Sequence, residues 1–178
     1  ARDSSPRAPQ VPKRRLLLSL AILTAVVVLD QALKAYVRST LGLGESIHLF
    51  GPVHITHVAN RGSVFGLGQG YVLVPTVASI LILIALPVML QRARLRYGYM
   101  PTRLEAVTLA LIAGGAIGNL IDRVALGSVT DFVDIELLFG VHWPAFNLAD
   151  SCIVLGTLVL VYLLHRRGVF DGSVIKAR

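Results

Sequence analysis

Hydrophobic residues in this chain fall into four long runs, separated by segments of a different texture. The first follows Lys13-Arg14-Arg15, opens at Leu16 and continues to Tyr36. At 1.5 Å of rise per residue, about 20 apolar residues cross a bilayer core. A basic triplet before an apolar run also resembles the start of a secretory signal peptide. No Ala-x-Ala cleavage pattern follows; Asp30, Gln31 and Lys34 come instead, so an uncleaved first transmembrane helix is expected. The second run, residues 71–90, holds no charge; Pro75 and Pro87 within it are tolerable in a membrane helix. The third, residues 104–121, has only Glu105 near its start, and the fourth, residues 146–164, opens with Asn147 and Asp150. Four spans put both termini on one side of the membrane.

The intervening segments read differently. Ser46-Ile47-His48-Leu49-Phe50 and Val53-His54-Ile55-Thr56-His57-Val58 are β-branched and near-alternating, with the turn signal Gly51-Pro52 between them. A small β-hairpin or sheet on the membrane surface is expected there. Between the third and fourth spans, Ile135-Glu136-Leu137-Leu138-Phe139 suggests a short interfacial helix, and His142-Trp143-Pro144 suits an interfacial aromatic belt.

Composition strengthens the membrane reading. The 178 residues are 54% hydrophobic and 15% charged, with a mean hydropathy of +0.71; soluble domains run about 45–50% and about 25%. One domain is expected over residues 16–165. A basic, Pro-rich, disordered tail is expected at residues 1–15 and a second short tail at 166–178. The net charge of +7 does not point to nucleic acid, because no aromatic residues interleave with the basic ones and no nucleic-acid motif appears. Five Lys/Arg lie in residues 1–15, four in 91–103 and four in 165–178, leaving Lys34, Arg38, Arg61 and Arg123 toward the other side. The positive-inside rule therefore makes both termini and the middle loop cytoplasmic, with Asp131 and Asp150 facing outward.

Cys152, the single cysteine, excludes an intrachain disulfide and reads as a small buried side chain. His54 and His57 lie on opposite faces of a strand, which argues against a zinc pair; neither metal nor other cofactor is expected. Gly115, Asn119 and Arg123 share one face of the third helix, while Gly114 and Gly118 form a Gly-x-x-x-Gly stripe suited to close helix approach. Asp122 beside Arg123 reads as an interfacial charge pair. Asn147 and Asp150, at i and i+3, face the same way at the outer end of the fourth helix. Asp150 alone reads as an ordinary first-turn acid favoured by the helix dipole, and Asp131 alone as a loop acid. Jointly, two carboxylates at one surface could share a proton and activate water, as aspartic proteases require.

Those residues carry a resemblance. The pattern Asn119-x-x-Asp122-Arg123-x-x-x-Gly127-x-Val129-x-Asp131-Phe132, with Phe146-Asn147-x-Ala149-Asp150, closely resembles the bacterial lipoprotein signal peptidases, or signal peptidase II family. Asp30-x-x-x-Lys34 and Asn60-Arg61-Gly62-Ser63-Val64-Phe65-Gly66 match further blocks, and the resemblance spans about residues 16–165. It implies a membrane aspartic endopeptidase with Asp131 and Asp150 as the catalytic pair. Asp30, Lys34, Asn60, Gly62, Gly115, Asn119, Asp122, Arg123, Gly127, Phe146, Asn147 and Ala149 become binding or supporting residues. The implied fold is a mainly α, four-transmembrane-helix bundle with a small extracytoplasmic β-cradle and a short, mobile interfacial helix. Diacylglyceryl-prolipoprotein substrates, membrane lipids and the cyclic peptide inhibitor globomycin are the implied partners of a monomer in the bacterial inner membrane. Competing classes are a proton-relaying transporter, for which no inverted repeat or broken helix is found, and a structural membrane subunit, which gives Asn60, Asn119 and Asn147 no purpose. Serine chemistry at Ser63 lacks the Gly-x-Ser-x-Gly setting.

Overall fold

A computed structural model describes residues 11–62 and 72–169. Residues 1–10 and 170–178 of the two tails, residues 63–66 of the Asn60 block and the first residue of the expected second span lie outside the described residues; Lys13, Arg14 and Arg15, expected in the disordered tail, instead form the start of the first helix. Four helices are long and apolar enough to cross a membrane: α1 (Lys13–Thr40), α2 (Leu73–Tyr97), α3 (Arg103–Leu126) and α4 (Leu148–Arg166). They expose Leu16, Leu17, Leu81, Ile84, Leu155 and Leu158 on their outer surfaces, as helices solvated by lipid do. α3 is the central helix, packing against α1, α2 and α4.

Small residues let α3 sit there. A Cβ on Gly114 would lie 2.9 Å from Val26 Cβ, and one on Gly118 2.5 Å from Asp30 Oδ2, both on α1; one on Gly115 would collide with the Ala149 carbonyl of α4. The Gly-x-x-x-Gly stripe is thus the α1 contact, and Gly115 is the α4 contact. Gly118→Ala should push α1 away from α3 and lower the thermal midpoint by roughly 5 °C or more, since overpacking costs about 1–3 kcal/mol. A midpoint unchanged in a detergent melting experiment would contradict this close approach.

The polar segments build one antiparallel sheet in the order β1 (Ser46–Phe50), β2 (Val53–Asn60), β3 (Val129–Glu136) and β4 (His142–Phe146). The expected hairpin is β1–β2. The interfacial helix is corrected: Ile135 and Glu136 belong to β3, and only a 3-10 turn at Leu138–Gly140 follows, with Phe139 left-handed (φ 64°) and fully exposed. His142-Trp143-Pro144 is strand rather than loop, and Pro144 is accommodated because β4 is an edge strand.

Two irregularities aim the sheet. Between Ile55↔Val133 and Val58↔Asp131, β2 spends three residues against two on β3. Because side chains alternate, the extra residue puts Asn60 on the same face as Asp131 rather than the opposite one. His57 holds the irregularity to the α1–β1 connection: its Nδ1 pairs with the Leu41 carbonyl at 2.9 Å and its N–H donates to Glu45 O at 3.0 Å. A second shift between Val133↔Phe146 and Ile135↔Trp143 delivers β4 into the start of α4.

Candidate active site

The C-terminal ends of α1 and α3 and the N-terminal end of α4 meet β2 and β3 around a cluster of acids and amides. Gly127, left-handed at φ 67°, caps α3 by donating its N–H to Arg123 O and turns the chain into β3, which brings Asp131 back over the helix end. At the start of α4, Asn147 and Asp150 form a reciprocal cap: Asp150 N–H donates to Asn147 Oδ1 (2.9 Å) and Asn147 N–H to Asp150 Oδ2 (3.2 Å). Asp150 is therefore held by the helix it begins.

Three asparagine amides hold the two acids, and their neighbours fix which way each amide faces. An ammonium or a backbone N–H can only donate, so the atom it meets must be the amide oxygen. Lys34 Nζ meets Asn119 Oδ1 at 2.8 Å, leaving Asn119 Nδ2 to donate to Asp150 Oδ1 at 2.7 Å. The Asp150 N–H occupies Asn147 Oδ1, so Asn147 Nδ2 donates to Asp131 Oδ1 at 2.7 Å and toward Asn119 Oδ1 at 3.1 Å. Gly62 N–H occupies Asn60 Oδ1 at 2.9 Å, and Asn60 Nδ2 donates to Asp131 Oδ2 at 2.8 Å. Asn147 thus bridges the two acids, and each of the four carboxylate oxygens accepts one N–H.

Behind this pair lies a buried ionic layer. Lys34, wholly buried, sits 2.8 Å from Asp30 Oδ2 and 3.6 Å from Asp122 Oδ2. Asp30 Oδ1 accepts the Ala149 N–H at 3.0 Å, tying α1 to the first turn of α4. Asp122 accepts the Thr130 N–H at 2.8 Å, which fixes the backbone beside Asp131. Asp122 is therefore not an interfacial partner of Arg123: it is buried and its ion pairs are Lys34 and Arg38. The physical reason is the turn of α3, which points Asp122 at α1 while Arg123 reaches Ser79 Oγ of α2 at 3.4 Å and feels the charges of Asp150 and Asp131 ahead of that of Asp122.

Sequence reasoning missed three residues. Gln31 Nε2 donates to Gly118 O and Asp122 Oδ1, both at 3.0 Å. Arg38 reaches Thr130 Oγ1 at 2.9 Å, and Thr130 presents both its hydroxyl and its N–H to this layer. The four-residue spacing Asp30, Lys34, Arg38 along one helix face was the available signal. Phe146 ends β4 opposite Val133 and takes no part in these polar contacts. Cys152 on α4 is half-buried. Cys152→Ala is expected to leave cleavage within about twofold of the parent, since the thiol is no part of the acid pair's hydrogen bonding; a loss of turnover in folded protein would contradict that.

Burial, and then the charge of Asp150, push the Asp131 carboxyl up to about 7, against the lowering effect of the Asn60 and Asn147 donors. A carboxyl raised this far holds a proton closer to neutral pH than an ordinary aspartate does. Among the described residues, no group of three His, Cys, Asp or Glu is arranged to hold a metal ion.

Four spans, with a buried Asp131 beside a half-buried Asp150 at one end of the bundle, define a multi-pass membrane protein with hydrolytic chemistry within reach. The family described as signal peptidase (SPase) II matches residues 22–166, and the chain belongs to that family. It is 41% identical over 149 residues to the lipoprotein signal peptidase of Syntrophomonas wolfei, covering 83% of this chain and 90% of that protein. It is also 41% identical over 155 residues to that of Desulforapulum autotrophicum, covering 84% and 92%. Among solved structures it is similar to a bacterial membrane enzyme determined by the in meso method at 2.3 Å, with a TM-score of 0.71, 31% identity, and coverage of 86% of this chain and 90% of that one.

Proposed function

We propose that this protein is an aspartic endopeptidase that removes signal peptides from diacylglyceryl-modified prolipoproteins, cutting immediately before the lipidated cysteine. The observation that carries the reading is the bridging of Asp131 and Asp150 by one buried asparagine, Asn147. Near neutral pH the pair shares one proton, held on Asp131. Ionised Asp150 takes a proton from water as the water oxygen adds to the scissile carbonyl carbon. Asp131 gives its proton to the carbonyl oxygen, and a neutral gem-diol forms. On collapse, Asp150 passes its proton to the departing amine and a gem-diol hydroxyl returns one to Asp131, so the pair ends as it began. Arg123, within electrostatic reach of both acids, suits a substrate carbonyl better than proton transfer, because a guanidinium stays charged. Asn60 and Gly62 stand where an extended peptide could be clamped.

The basic residues support an inner-membrane placement with the acids at the outer face. At the end opposite the sheet, Arg15 donates to the Pro101 carbonyl and Arg167 pairs with Glu105 at 2.8 Å, gathering the basic ends on one side. A lipid-anchored substrate stays in the bilayer, so its scissile bond lies at the interfacial depth of the acids.

Purified protein in liposomes, given precursor with and without its diacylglyceryl group, tests the reading. Cleavage confined to the lipidated precursor and blocked by globomycin is expected. Equal cleavage of both precursors would remove the substrate assignment. On a Cys152→Ala background, a cysteine probe at Ser128 should label from outside and one at Gly98 only after permeabilisation; the reverse pattern would invert the topology.

A further inference from the structure

The ionic layer behind the acids has a charge count of its own. Four carboxylates, Asp30, Asp122, Asp131 and Asp150, are joined through Lys34, Asn119 and Asn147. Three fixed cations face them: Lys34 and Arg38 from α1, and Arg123 from α3. Among the described residues, the remaining titratable neighbour is the Cys152 thiol of α4, which feels Asp30; β2 contributes the neutral Asn60. Four negative charges against three positive ones leave a single excess, which one proton cancels. Buried charge is costly unless balanced, so a cluster of this composition favours holding one proton.

Lys34 stands at the junction. Its ammonium is wholly buried, with Asp30 Oδ2 and Asn119 Oδ1 each at 2.8 Å. Because it can only donate, it obliges Asn119 to present its oxygen to Lys34 and its Nδ2 to Asp150. We propose that Lys34 is a positioning residue for the acid pair: through the Asn119 amide it sets the donor offered to Asp150, and through its charge it sets how many protons the four-carboxylate cluster retains. This rests on the aspartic reading above and explains why the pair would hold one proton rather than two or none.

Opposite charge changes should then move activity in opposite directions along the pH axis. Lys34→Met leaves two excess negative charges, so the cluster takes a second proton and the bell of kcat/KM against pH moves up. Asp30→Asn leaves no excess; its retained amide oxygen still accepts the Ala149 N–H, and the bell moves down. The double variant restores the count and returns the bell to its starting position. Each single shift is expected to be about one pH unit, the usual scale for a neighbouring charge.

The experiment is the pH dependence of kcat/KM for the full chain and these three variants in liposomes with lipidated precursor, beside a melting curve for each. Opposite shifts with reversal in the double variant support the proposal. Unmoved midpoints, or shifts in the same direction, overturn it. Should Lys34→Met fail to fold, Asp30→Asn alone decides, with a downward shift supporting and an unmoved bell refuting. Turnover in Asp131→Asn would instead refute the aspartic reading itself; an inactive Asp131→Asn with unmoved bells refutes only the role of Lys34.

Discussion

Asparagine at position 131 or 150 is expected to reduce cleavage by at least roughly 10³–10⁴-fold while leaving the protein folded. An amide keeps the outline of the carboxyl and can still accept through its oxygen, but it can neither ionise nor take a proton from water. At position 131 the amide would also face two donors, Asn60 Nδ2 and Asn147 Nδ2, both at hydrogen-bond distance from the present carboxylate. One amide oxygen can satisfy only one side comfortably, so Asp131→Asn should soften the local structure as well. Asp150→Asn keeps an oxygen for the helix cap but turns its new NH₂ toward Asn119 Nδ2, so it should soften to a similar degree. The check is a turnover measurement beside a melting curve. Substantial activity in either folded variant would remove that acid from the chemistry.

Leucine at position 147 is expected to cost about 10²–10³-fold in kcat and to lower the thermal midpoint by roughly 5–10 °C. Asn147 is wholly buried, and its side chain receives the Asp150 N–H while donating to Asp131 and toward Asn119. Losing the cap costs about 1 kcal/mol, and each buried polar group left without a partner about 1–3 kcal/mol. The larger consequence is geometric, because the side chain that ties the Asp131 carboxylate to the Asp150 backbone N–H disappears. Positioning errors of this kind reduce kcat out of proportion to stability. A leucine variant that melts lower yet turns over normally would show that Asn147 is a cap and nothing more.

The helices were legible because a span of about 20 apolar residues admits few other structures. The β1–β2 hairpin was legible from alternation and Gly51-Pro52. β3 and β4 were not. In Val129–Glu136 the alternation of Val133, Asp134, Ile135 and Glu136 is broken upstream by Asp131-Phe132, and Pro144 reads against a strand until β4 is known to lie at the edge of the sheet. The register shift near Thr56 and His57 has no local sequence signature, yet it alone brings Asn60 to the Asp131 face. For the site, motif spacing picked out the acids and the three asparagines. Asp122 was misread as a surface pair because adjacency in sequence says nothing of the angle by which successive helix residues diverge. Gln31, Arg38 and Thr130 escaped because their role depends on how α1 meets α3 and β3.

If Asp131 and Asp150 share one proton while cutting the peptide, the pH dependence of kcat/KM for wild-type protein will carry its signature. With the Asp131 carboxyl at about 7, the pair loses its shared proton above that pH and leaves no acid for the carbonyl. At lower pH the second acid protonates and leaves no base. A bell whose alkaline limb falls near pH 7 is therefore expected in wild-type protein with lipidated precursor. Activity that instead rises through pH 7 and holds a plateau to pH 9 would contradict it, because a serine, cysteine or lysine base behaves that way and a shared carboxyl proton does not.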